Sequence, residues 1–382
     1  MTQPRSSVTR RSFLGGVALG SVGLASADLW AQEGRSGRPS TMPPGSPYDE
    51  TAKLANNENP WGPSPAVMAA MTHAFKYANR YGYPDGNLAQ LLAAHHGVTV
   101  DHILLGAGST EILDVTGTTF LAGGKKVLGV EPTFGAVYQH ATGINAEAIK
   151  LSLTVDHRQD IDAMLAAAHA HAAELGFVYL CNPNNPTGVI VTAKDVRQLL
   201  DGLPPGLPVL IDEAYHHFVD DPLYATSVPY AREGRPVIIT RTFSKIAALA
   251  GMRLGYAVAP PALIKKMRPN SSVASINALV KWGAVAALKD TDNEAKVKAD
   301  TIALRADVTG KLRALGFESI PSQANFFMVH INREVAPVIE AFRQRGVAVG
   351  RPFPPMTQHL RVSIGTASEM ARFLDAFKQI FA

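Results

Sequence analysis

The 382-residue chain is predicted to fold as an α/β protein, with a mainly parallel sheet sandwiched by helices and a smaller α+β domain. From about residue 86, helical patterns alternate with short apolar runs, such as residues 126–130, 177–181, 208–211 and 237–240. These runs lack strict polar alternation, as expected for strands that are buried on both faces of a parallel sheet. They therefore predict the core of a large domain.

The pattern changes near residue 290, which predicts the second domain. Two longer helical stretches are expected at residues 272–289 and 292–315. Short strands and a terminal helix through Phe381 follow, with the strands at residues 324–330, 347–349 and 360–364. We therefore place the domains in this order: a linker at residues 32–47, an N-terminal segment joining the small domain at 48–85, the large domain at 86–290 and the small C-terminal domain at 291–382.

The N-terminus has the order of an export signal. Arg10 and Arg11 precede an apolar, glycine-rich run at residues 15–24, and small residues suited to a signal peptidase end at Ala27. The apolar run is shorter than the roughly 20 residues that a membrane span needs. The paired arginines resemble a twin-arginine signal, which is read by the twin-arginine export machinery. We expect residues 1–31 to be this signal, cleaved after Ala27 or Ala31, and the protein to be periplasmic or otherwise extracytoplasmic.

Composition excludes several other classes of protein. With 46% hydrophobic residues the chain can bury a large core, and its single cysteine, Cys181, rules out an intramolecular disulfide. A chain that begins after residue 27 has a formal charge of about +1, which argues against a nucleic-acid partner. The histidines, including His216 and His217, are interpreted as structural or solvated, and no metal site is expected because further ligands at suitable spacing are absent.

Two loops at the predicted carboxyl edge of the sheet carry charged groups. Asp212 directly follows an apolar run, where burial would be costly without a cationic partner such as a protonated ring nitrogen, although Asp also caps helices. Lys245 follows the next run, preceded by Thr242 and Ser244 and followed eight residues later by Arg253. A lysine after a strand is usually solvated, but this group places phosphate donors beside an amine that can form an imine.

Two further turns lie at the same predicted edge. Asn185 belongs to a loop that two prolines make rigid, and the loop either aims this side chain at the sheet edge or is an ordinary turn. The turn at residues 106–110 joins an apolar strand to a helix start with hydroxyl groups, which suits phosphate binding but also a simple helix cap. The third glycine of the dinucleotide pattern is absent. Two phosphate-donor sets and one imine-forming lysine favour pyridoxal phosphate over a nucleotide.

Taken together, these strings resemble the fold-type I aminotransferases, and within them the histidinol-phosphate aminotransferase-like branch. The similarity runs from Leu54 to the C-terminus, with the motifs in the family's order. The matching strings are residues 57–60, 62–65, 83–85, 106–113, 131–134, 185–188, 212–215, 242–245, 253 and 360–362. The resemblance implies a homodimeric fold-type I transferase with pyridoxal 5'-phosphate as cofactor. It would move an amino group between an L-amino acid and a 2-oxo acid by a ping-pong mechanism.

The resemblance also implies a role for each matching site residue. Lys245 would bind the cofactor covalently and shuttle the proton of the substrate α-carbon, while Asp212 would keep the pyridine nitrogen protonated. Asn185 and Tyr215 would hydrogen-bond the ring hydroxyl, and Phe134 would stack on the ring. The remaining cofactor contacts would go to the phosphate, from Gly108, Ser109, Thr110, Thr242, Ser244, Arg253 and, from a second subunit, Tyr83. The substrate would be bound by Asn57, Arg351 and Arg361, the last as a clamp on its carboxylate.

The chain departs from the family pattern at two places. Thr110 stands where the family usually has Asp, and it still offers a donor. Gly350 separates Arg351 from the preceding apolar strand, and the loop to Arg361 is shorter and proline-rich. Histidinol phosphate and an aromatic or broad-range amino acid are both candidate substrates, and Trp61 at the predicted mouth favours an apolar side chain. The alternatives are another pyridoxal-phosphate reaction (decarboxylation, racemisation or oxidation) and a cofactor-free binding protein.

Overall fold

The computed structural model describes residues 47–272 and 275–382, so the predicted export signal and nearly all of the predicted linker lie outside the described residues. The strands are β1 Ala52–Leu54, β2 Ile103–Gly106, β3 Lys126–Glu131, β4 Ala148–Ser152, β5 Leu175–Cys181, β6 Val209–Asp212, β7 Val237–Thr242, β8 Gly255–Val258, β9 Phe326–His330, β10 Val347–Val349 and β11 His359–Ser363. The helices are α1 Pro47–Glu50, α2 Pro65–Ala74, α3 Leu88–His96, α4 Ser109–Phe120, α5 Ala136–Gly143, α6 Ile161–Ala170, α7 Ala193–Gly202, α8 Val228–Arg232, α9 Pro261–Met267, α10 Ala278–Ala287, α11 Thr291–Ala314, α12 Val335–Arg343 and α13 Ala367–Phe381. Among the described residues, no helix has the length and apolar character that crossing a membrane requires.

Seven strands form the main sheet, in the order β2-β8-β7-β6-β5-β3-β4. The neighbouring strands from β7 to β4 pair in parallel, whereas β8 runs antiparallel to both β2 and β7. The predicted α/β class with a mainly parallel sheet is therefore confirmed. The direction of β8 is not visible in the sequence, because buried strands of either direction have the same apolar pattern.

Alternate side chains of the central strands enter separate apolar cores on the two faces of the main sheet. In β6, Val209 and Ile211 belong to one core, while Leu210 belongs to the other. All three are fully buried, which explains why the run shows no polar alternation. Burial of each such side chain stabilises the fold by about 1.5–3 kcal/mol. The strands therefore hold the residues at their ends in fixed positions.

Several elements have bounds that differ from the prediction. Asp212 and Thr242 are the last residues of β6 and β7 rather than residues that follow them. The helix expected at 272–289 begins at Ala278, because the side chain of Asn277 caps it by accepting a hydrogen bond from the Val280 amide. Positions 273 and 274 of that predicted helix lie outside the described residues.

A third apolar core lies in the C-terminal part of the chain. Strand β1 pairs in parallel with β10, and β9 pairs antiparallel with β11. Leu54, Phe327 and Phe373 are fully buried there against the C-terminal half of α11. Helix α2, in contrast, packs with α10 in the main core through Val67 and Met71. The domain boundaries given above stay predictions.

Candidate functional site

The register of the sheet brings the predicted site residues to one edge. Cys181 at the end of β5 pairs with Asp212, and Asp212 pairs with Thr240 in β7. Gly106 at the end of β2 pairs with Gly255, which pairs in turn with Thr242. The loops that follow β2, β5, β6 and β7 therefore begin at the same edge, where open α/β sheets bind ligands.

Asp212 is a buried carboxylate without an ion-pair partner among the described residues. Its Oδ1 accepts a hydrogen bond from the Ala214 amide at 3.1 Å. Burial raises the pKa of Asp212 to about 7, against an ordinary value of 3.8. A cation beside the carboxylate would offset this cost, so the position fits a protonated ring nitrogen.

Lys245 lies in the loop after β7 with its amine close to the other candidate catalytic groups. Its Nζ donates a hydrogen bond to the carbonyl oxygen of Asn56 at 3.1 Å and lies 5.7 Å from the ring centre of Tyr215. Burial and the positive charge of Arg361 lower the pKa of Lys245 to about 8. A lowered pKa increases the fraction of neutral amine, which is the form that attacks an aldehyde.

The hydroxyl of Tyr215 joins two other predicted site residues. Its hydroxyl accepts hydrogen bonds from the amide nitrogen of Asn57 at 3.0 Å and from that of Asn185 at 3.4 Å. Burial raises the pKa of Tyr215, which keeps it a neutral phenol with a proton to donate. Asn57 adopts a left-handed φ of 55°, which Asn tolerates better than most residues, and its backbone amide donates to Ser363 Oγ at 2.8 Å.

The start of helix α4 forms an anion-binding cradle. Gly108 has a φ of 86°, and a Cβ at this position would overlap the guanidinium of Arg253. A larger residue would strain the backbone at this φ and displace the guanidinium, so glycine is favoured between the helix start at Ser109 and this arginine. The free backbone amides of the 12-residue helix point out of its first turn, beside a fixed cation.

Hydroxyl groups next to Lys245 complete the cradle. They belong to Thr242 at the end of β7 and to Ser244 in the following loop, residues 243–254, which we call the lysine loop. Arg253 donates hydrogen bonds from Nη1 to the carbonyl oxygen of Ala250 at 2.9 Å and to Ser244 Oγ at 3.4 Å. The amide of Ser244 donates to Thr242 Oγ1 at 3.0 Å. The structure thus brings together the two sets of phosphate donors that the sequence predicts separately, while Thr110 lies in the first turn of α4.

Arg361 presents a buried guanidinium at the same edge. It donates hydrogen bonds to Asn185 Oδ1 at 2.7 Å and to the carbonyl oxygen of Ala55. Its Nε is buried and has no hydrogen-bond partner among the described residues. Burial lowers the pKa of Arg361 to about 10, so the group stays charged at neutral pH. A fixed cationic fork at this edge suits a carboxylate or phosphate group.

Two aromatic rings that the sequence analysis did not identify hold this guanidinium. The Cζ of Arg361 lies 4.6 Å from the ring centre of Phe353 and 5.5 Å from that of Phe326. Phe326 begins β9, and Phe353 lies in the proline-rich loop before β11. Stacking between an arginine and a ring leaves no periodic signal in a sequence, so only the structure reveals these two residues.

Two other predicted site residues, Arg351 and Tyr83, make their hydrogen bonds outside the network of Arg361, Asn185 and Tyr215. Arg351 is exposed, donates to the carbonyl oxygen of Pro352 at 2.9 Å and stacks on Phe353, with its Cζ 4.3 Å from the ring centre. Within one chain, Tyr83 donates its hydroxyl proton to the carbonyl oxygen of Ile276 at 2.5 Å.

Two aromatic residues of the predicted site have modest contacts in the single chain. Phe134 is half-buried, and its carbonyl oxygen accepts a hydrogen bond from the hydroxyl of Tyr179 at 3.2 Å. Trp61 is exposed, and its amide donates to Asn59 Oδ1 at 3.0 Å. Neither ring is fixed by contacts that assign it a role.

The residues at this edge fit pyridoxal phosphate by their chemistry. Asp212 has no ion-pair partner among the described residues, Lys245 supplies an amine with a lowered pKa, and the α4 cradle supplies phosphate donors beside Arg253. A buried acid, an amine and an anion cradle correspond to the pyridine nitrogen, the aldehyde and the phosphate of that cofactor.

Comparison with known proteins agrees with this geometry. The family model described as aminotransferase class I and II matches residues 49–377. A histidinol-phosphate aminotransferase of Moorella thermoacetica is 37% identical over 354 residues, covering 89% of this chain and 90% of that protein. A solved structure described as a putative histidinol-phosphate aminotransferase of Erwinia carotovora atroseptica is 32% identical with a TM-score of 0.82, covering 87% of this chain and 96% of that one. The histidinol-phosphate aminotransferase of Sinorhizobium meliloti, solved with pyridoxal 5'-phosphate, shares the fold at 24% identity and a TM-score of 0.80, covering 91% and 98%.

Proposed function

Since the chain belongs to the aminotransferase class I and II family and is a pyridoxal-phosphate-dependent aminotransferase, we propose that it acts on an aromatic or imidazole-bearing amine substrate. The amino group would come from an L-amino acid or a histidinol-phosphate-like compound and go to a 2-oxo acid in a ping-pong cycle. The observation that carries the anionic part of this proposal is Arg361, a buried guanidinium at the edge of the site, and the relatives named histidinol-phosphate aminotransferase support the ring. Arg361 would bind the anionic group next to the reacting carbon, a carboxylate in one class and a phosphate in the other.

The cofactor, when bound, supplies an electron-withdrawing pyridine ring for chemistry at the substrate α-carbon. Asp212 would hold a proton on the ring nitrogen, because its carboxylate is buried and forms no ion pair in the part of the chain that the structure describes. Tyr215 and Asn185 would bind the ring hydroxyl, and their mutual hydrogen bond at 3.4 Å places them side by side. The α4 cradle with Arg253 would bind the phosphate.

Lys245 is the proposed acid–base residue. Its Nζ would accept the proton from the substrate α-carbon, a role for which a pKa near neutrality is favourable. Asp212 and Tyr215 are buried, whereas Lys245 is half-buried, so its amine is held at the site and remains accessible to a substrate. Proton transfer by a positioned side chain is typically worth about 10²–10⁴ in rate, so this residue is the most sensitive position of the site.

A substrate panel tests the proposal. Purified protein loaded with the cofactor would be incubated with phenylalanine, tyrosine, tryptophan, histidine, histidinol phosphate, alanine and aspartate, each with 2-oxoglutarate, and the oxo product quantified. We expect kcat/KM to be highest for ring-bearing donors. Equal or higher values for alanine or aspartate would overturn the proposed substrate class. Release of carbon dioxide in place of an oxo product would identify decarboxylation.

We further propose that the enzyme is a homodimer in which Tyr83 binds the cofactor phosphate of the partner subunit. The ring lies beside Tyr77, at 6.4 Å between ring centres, and Lys281 lies over it. Mixing Tyr83→Phe chains with Lys245→Ala chains tests this arrangement. Mixed dimers would contain one intact site and regain activity if Tyr83 acts on the partner, whereas action within one chain gives no rescue.

We also propose that the protein is exported in folded form by the twin-arginine machinery. The support is the order of Arg10, Arg11, the apolar run and the small residues up to Ala27 in the sequence. Export of a folded chain suits a protein that takes up its cofactor before it crosses the membrane.

A further inference from the structure

A cavity of about 160 Å³ lies beside the lysine loop, outside the site described above. Phe243, Ile246 and Ala247, which precede and follow Lys245, contribute to its wall, and so do His216 and His217, which directly follow Tyr215. Of the predicted cofactor-binding residues, only Thr242 lines it as well. The cavity thus shares two loops with the active site but is a separate space.

Two imidazoles in this wall have unmet hydrogen-bonding capacity. The rings of His216 and His217 lie 3.6 Å apart between centres. His216 Nε2 and His217 Nδ1 are buried and have no hydrogen-bond partner among the described residues. Burial lowers the pKa of both, so each ring is neutral at physiological pH and carries one acceptor nitrogen. A buried polar atom without a partner costs about 1–3 kcal/mol, and rotation of either ring toward the cavity would let a bound molecule satisfy that atom.

The charge of the wall is negative. Asp290 and Glu294, at the start of α11, line the cavity, and none of the lining residues is Lys or Arg. Asp290 is occupied, because it accepts hydrogen bonds from Ser64 Oγ at 2.5 Å and from the Asn293 amide at 3.3 Å. The nearest ion-pair partner of Glu294 is the neutral His217, at 4.0 Å.

Glu294 is therefore the group that a ligand cation would satisfy. Partial burial at the cavity wall raises the pKa of Glu294, although about half of the side chain stays in solvent and Arg241 and Lys298 oppose the effect from a distance. Arg241 is already paired with Glu213 at 2.8 Å. A ligand carboxylate would face Glu294 and Asp290 without a lining cation, so amino acids are poor candidates and a simple organic cation is favoured.

The remaining lining is apolar and suits a ring. Val67, Phe243, Ile246, Ala287 and Leu288 contribute hydrocarbon surface. An engineered apolar cavity of about 150 Å³ in another protein holds benzene, so the present volume is sufficient for a six-membered ring. Apolar walls with a few convergent polar groups are typical of small-molecule sites.

We propose that this cavity binds a small aromatic cation, with its charged group between Glu294 and the imidazoles of His216 and His217 and its ring against Phe243 and Leu288. Because residues on both sides of Lys245 contribute to the wall, a bound cation also restrains the lysine loop. Binding and cofactor affinity are then coupled, and the coupling acts equally in both directions.

Three probes of one shape test the charge preference. Benzamidine is a cation, benzamide is its neutral isostere and benzoate is an anion, and none of them carries an amino group on an α-carbon. Calorimetric titration of the full holoenzyme should show one benzamidine per chain. We expect benzamide to bind at least tenfold more weakly and benzoate not to bind in the cavity. Equal affinity for benzamidine and benzamide would overturn the proposal.

Two variants and a competitor locate the binding. Glu294→Gln should weaken benzamidine at least tenfold, whereas Asp307→Asn, an exposed acid on the same helix α11, should leave its affinity unchanged. The Glu294 side chain is half-exposed, and unfolding curves would verify that the variant folds. Leu288→Trp, which fills the cavity, should abolish binding. Unchanged benzamidine affinity in Glu294→Gln would contradict the proposal. Displacement of bound benzamidine by saturating 2-oxoglutarate would also contradict it, because the probe would then occupy the active site.

Discussion

Arg361 and Asn185 are joined by a 2.7 Å hydrogen bond, in which the guanidinium Nη1 donates to the amide oxygen. The amide nitrogen of the same Asn185 donates to the hydroxyl of Tyr215. The residue proposed to bind the substrate anion is therefore tied to the two proposed to bind the cofactor ring. Substrate and cofactor contacts thus share one hydrogen-bonded chain, in which Arg361 helps to orient the amide of Asn185.

Arg361→Ala should raise KM for the best donor and lower kcat/KM by about 10²-fold or more, since a charge-assisted hydrogen bond is worth about 1.5–3 kcal/mol and two are lost. Cofactor content, measured by the visible absorption of the bound cofactor, should be retained. Steady-state kinetics would check this result. Arg343→Ala is the matched control, because that guanidinium is exposed on α12 and pairs with Glu340 of the same helix at 2.6 Å, and we expect a change below about threefold. Unchanged kinetics in Arg361→Ala would remove it from the substrate site.

Lys245→Ala should abolish turnover and covalent attachment of the cofactor. Borohydride reduction of the wild-type holoenzyme, followed by peptide mapping, is expected to give one tagged peptide that contains Lys245. The tag should be missing in Lys245→Ala and present in Lys150→Ala, whose amine is paired with Glu131 at 2.9 Å. A tag on another lysine would refute the proposed attachment site.

Asp212→Asn should change the pH dependence of stability in the cofactor-free protein. The folded state holds a proton on Asp212 up to a pKa of about 7, whereas the unfolded chain loses it near 3.8. Between these values the folded state binds more protons, so its stability decreases as pH rises, by at most about 1.4 kcal/mol per pH unit. Denaturation curves at several pH values should show this decrease in the wild type and its absence in Asp212→Asn. The variant should also bind the cofactor more weakly. If stability depended on pH in the same way in the wild type and in Asp212→Asn, Asp212 would not be the group with the raised pKa.

A second pH effect of opposite sign is expected from His359. Burial, together with His330 and His157, lowers its pKa to about 4, and the rings lie 4.8 Å and 5.5 Å away between centres. As the pH drops below about 6.5, His359 takes up a proton in the unfolded chain but stays neutral in the folded chain. The free energy of unfolding should therefore fall between about pH 6.5 and about pH 4. His359→Gln should flatten this part of the curve in urea denaturation, and the exposed His73→Gln should not. An unaltered slope in His359→Gln would show that His359 is not the titrating group.

Export predicts a defined new N-terminus. N-terminal sequencing of the protein recovered from the extracytoplasmic fraction should begin at Asp28 or Gln32, after cleavage at Ala27 or Ala31. Recovery of a chain that begins with Met1 or Thr2 would contradict the signal peptide.

The sequence was sufficient to predict the α/β class and the edge of the sheet at which the site lies. An apolar run that ends in polar residues indicates a buried strand whose carboxyl end lies at the ligand-binding edge. Asp212, Asn185 and Lys245 follow such runs, and their loops begin at one edge of the sheet. The bounds were less accurate, since the cap at Asn277 and the last residues of β6 and β7 depend on local hydrogen bonds.

Contacts between segments that are far apart in the chain could not be predicted from the sequence. Phe353 and Phe326 are far apart in the chain, yet both rings contact Arg361. The His216 and His217 pair was interpreted as structural or solvated, and its place in the wall of a cavity appears only when α11 and the lysine loop are packed against it. Such relationships depend on tertiary packing, which periodicity does not encode.

Helix α11 begins beside that cavity, where Glu294 lies in its first turn, and ends in the C-terminal core, where Leu312 is fully buried. A helix rises about 1.5 Å per residue, so the two positions are about 27 Å apart along one stiff rod. A tilt of only about 1° at the start of such a rod displaces its far end by about 0.5 Å. Helix α11 is thus one continuous element from the cavity wall to the C-terminal core, so a small change of tilt at its start becomes a displacement among the residues packed around Leu312.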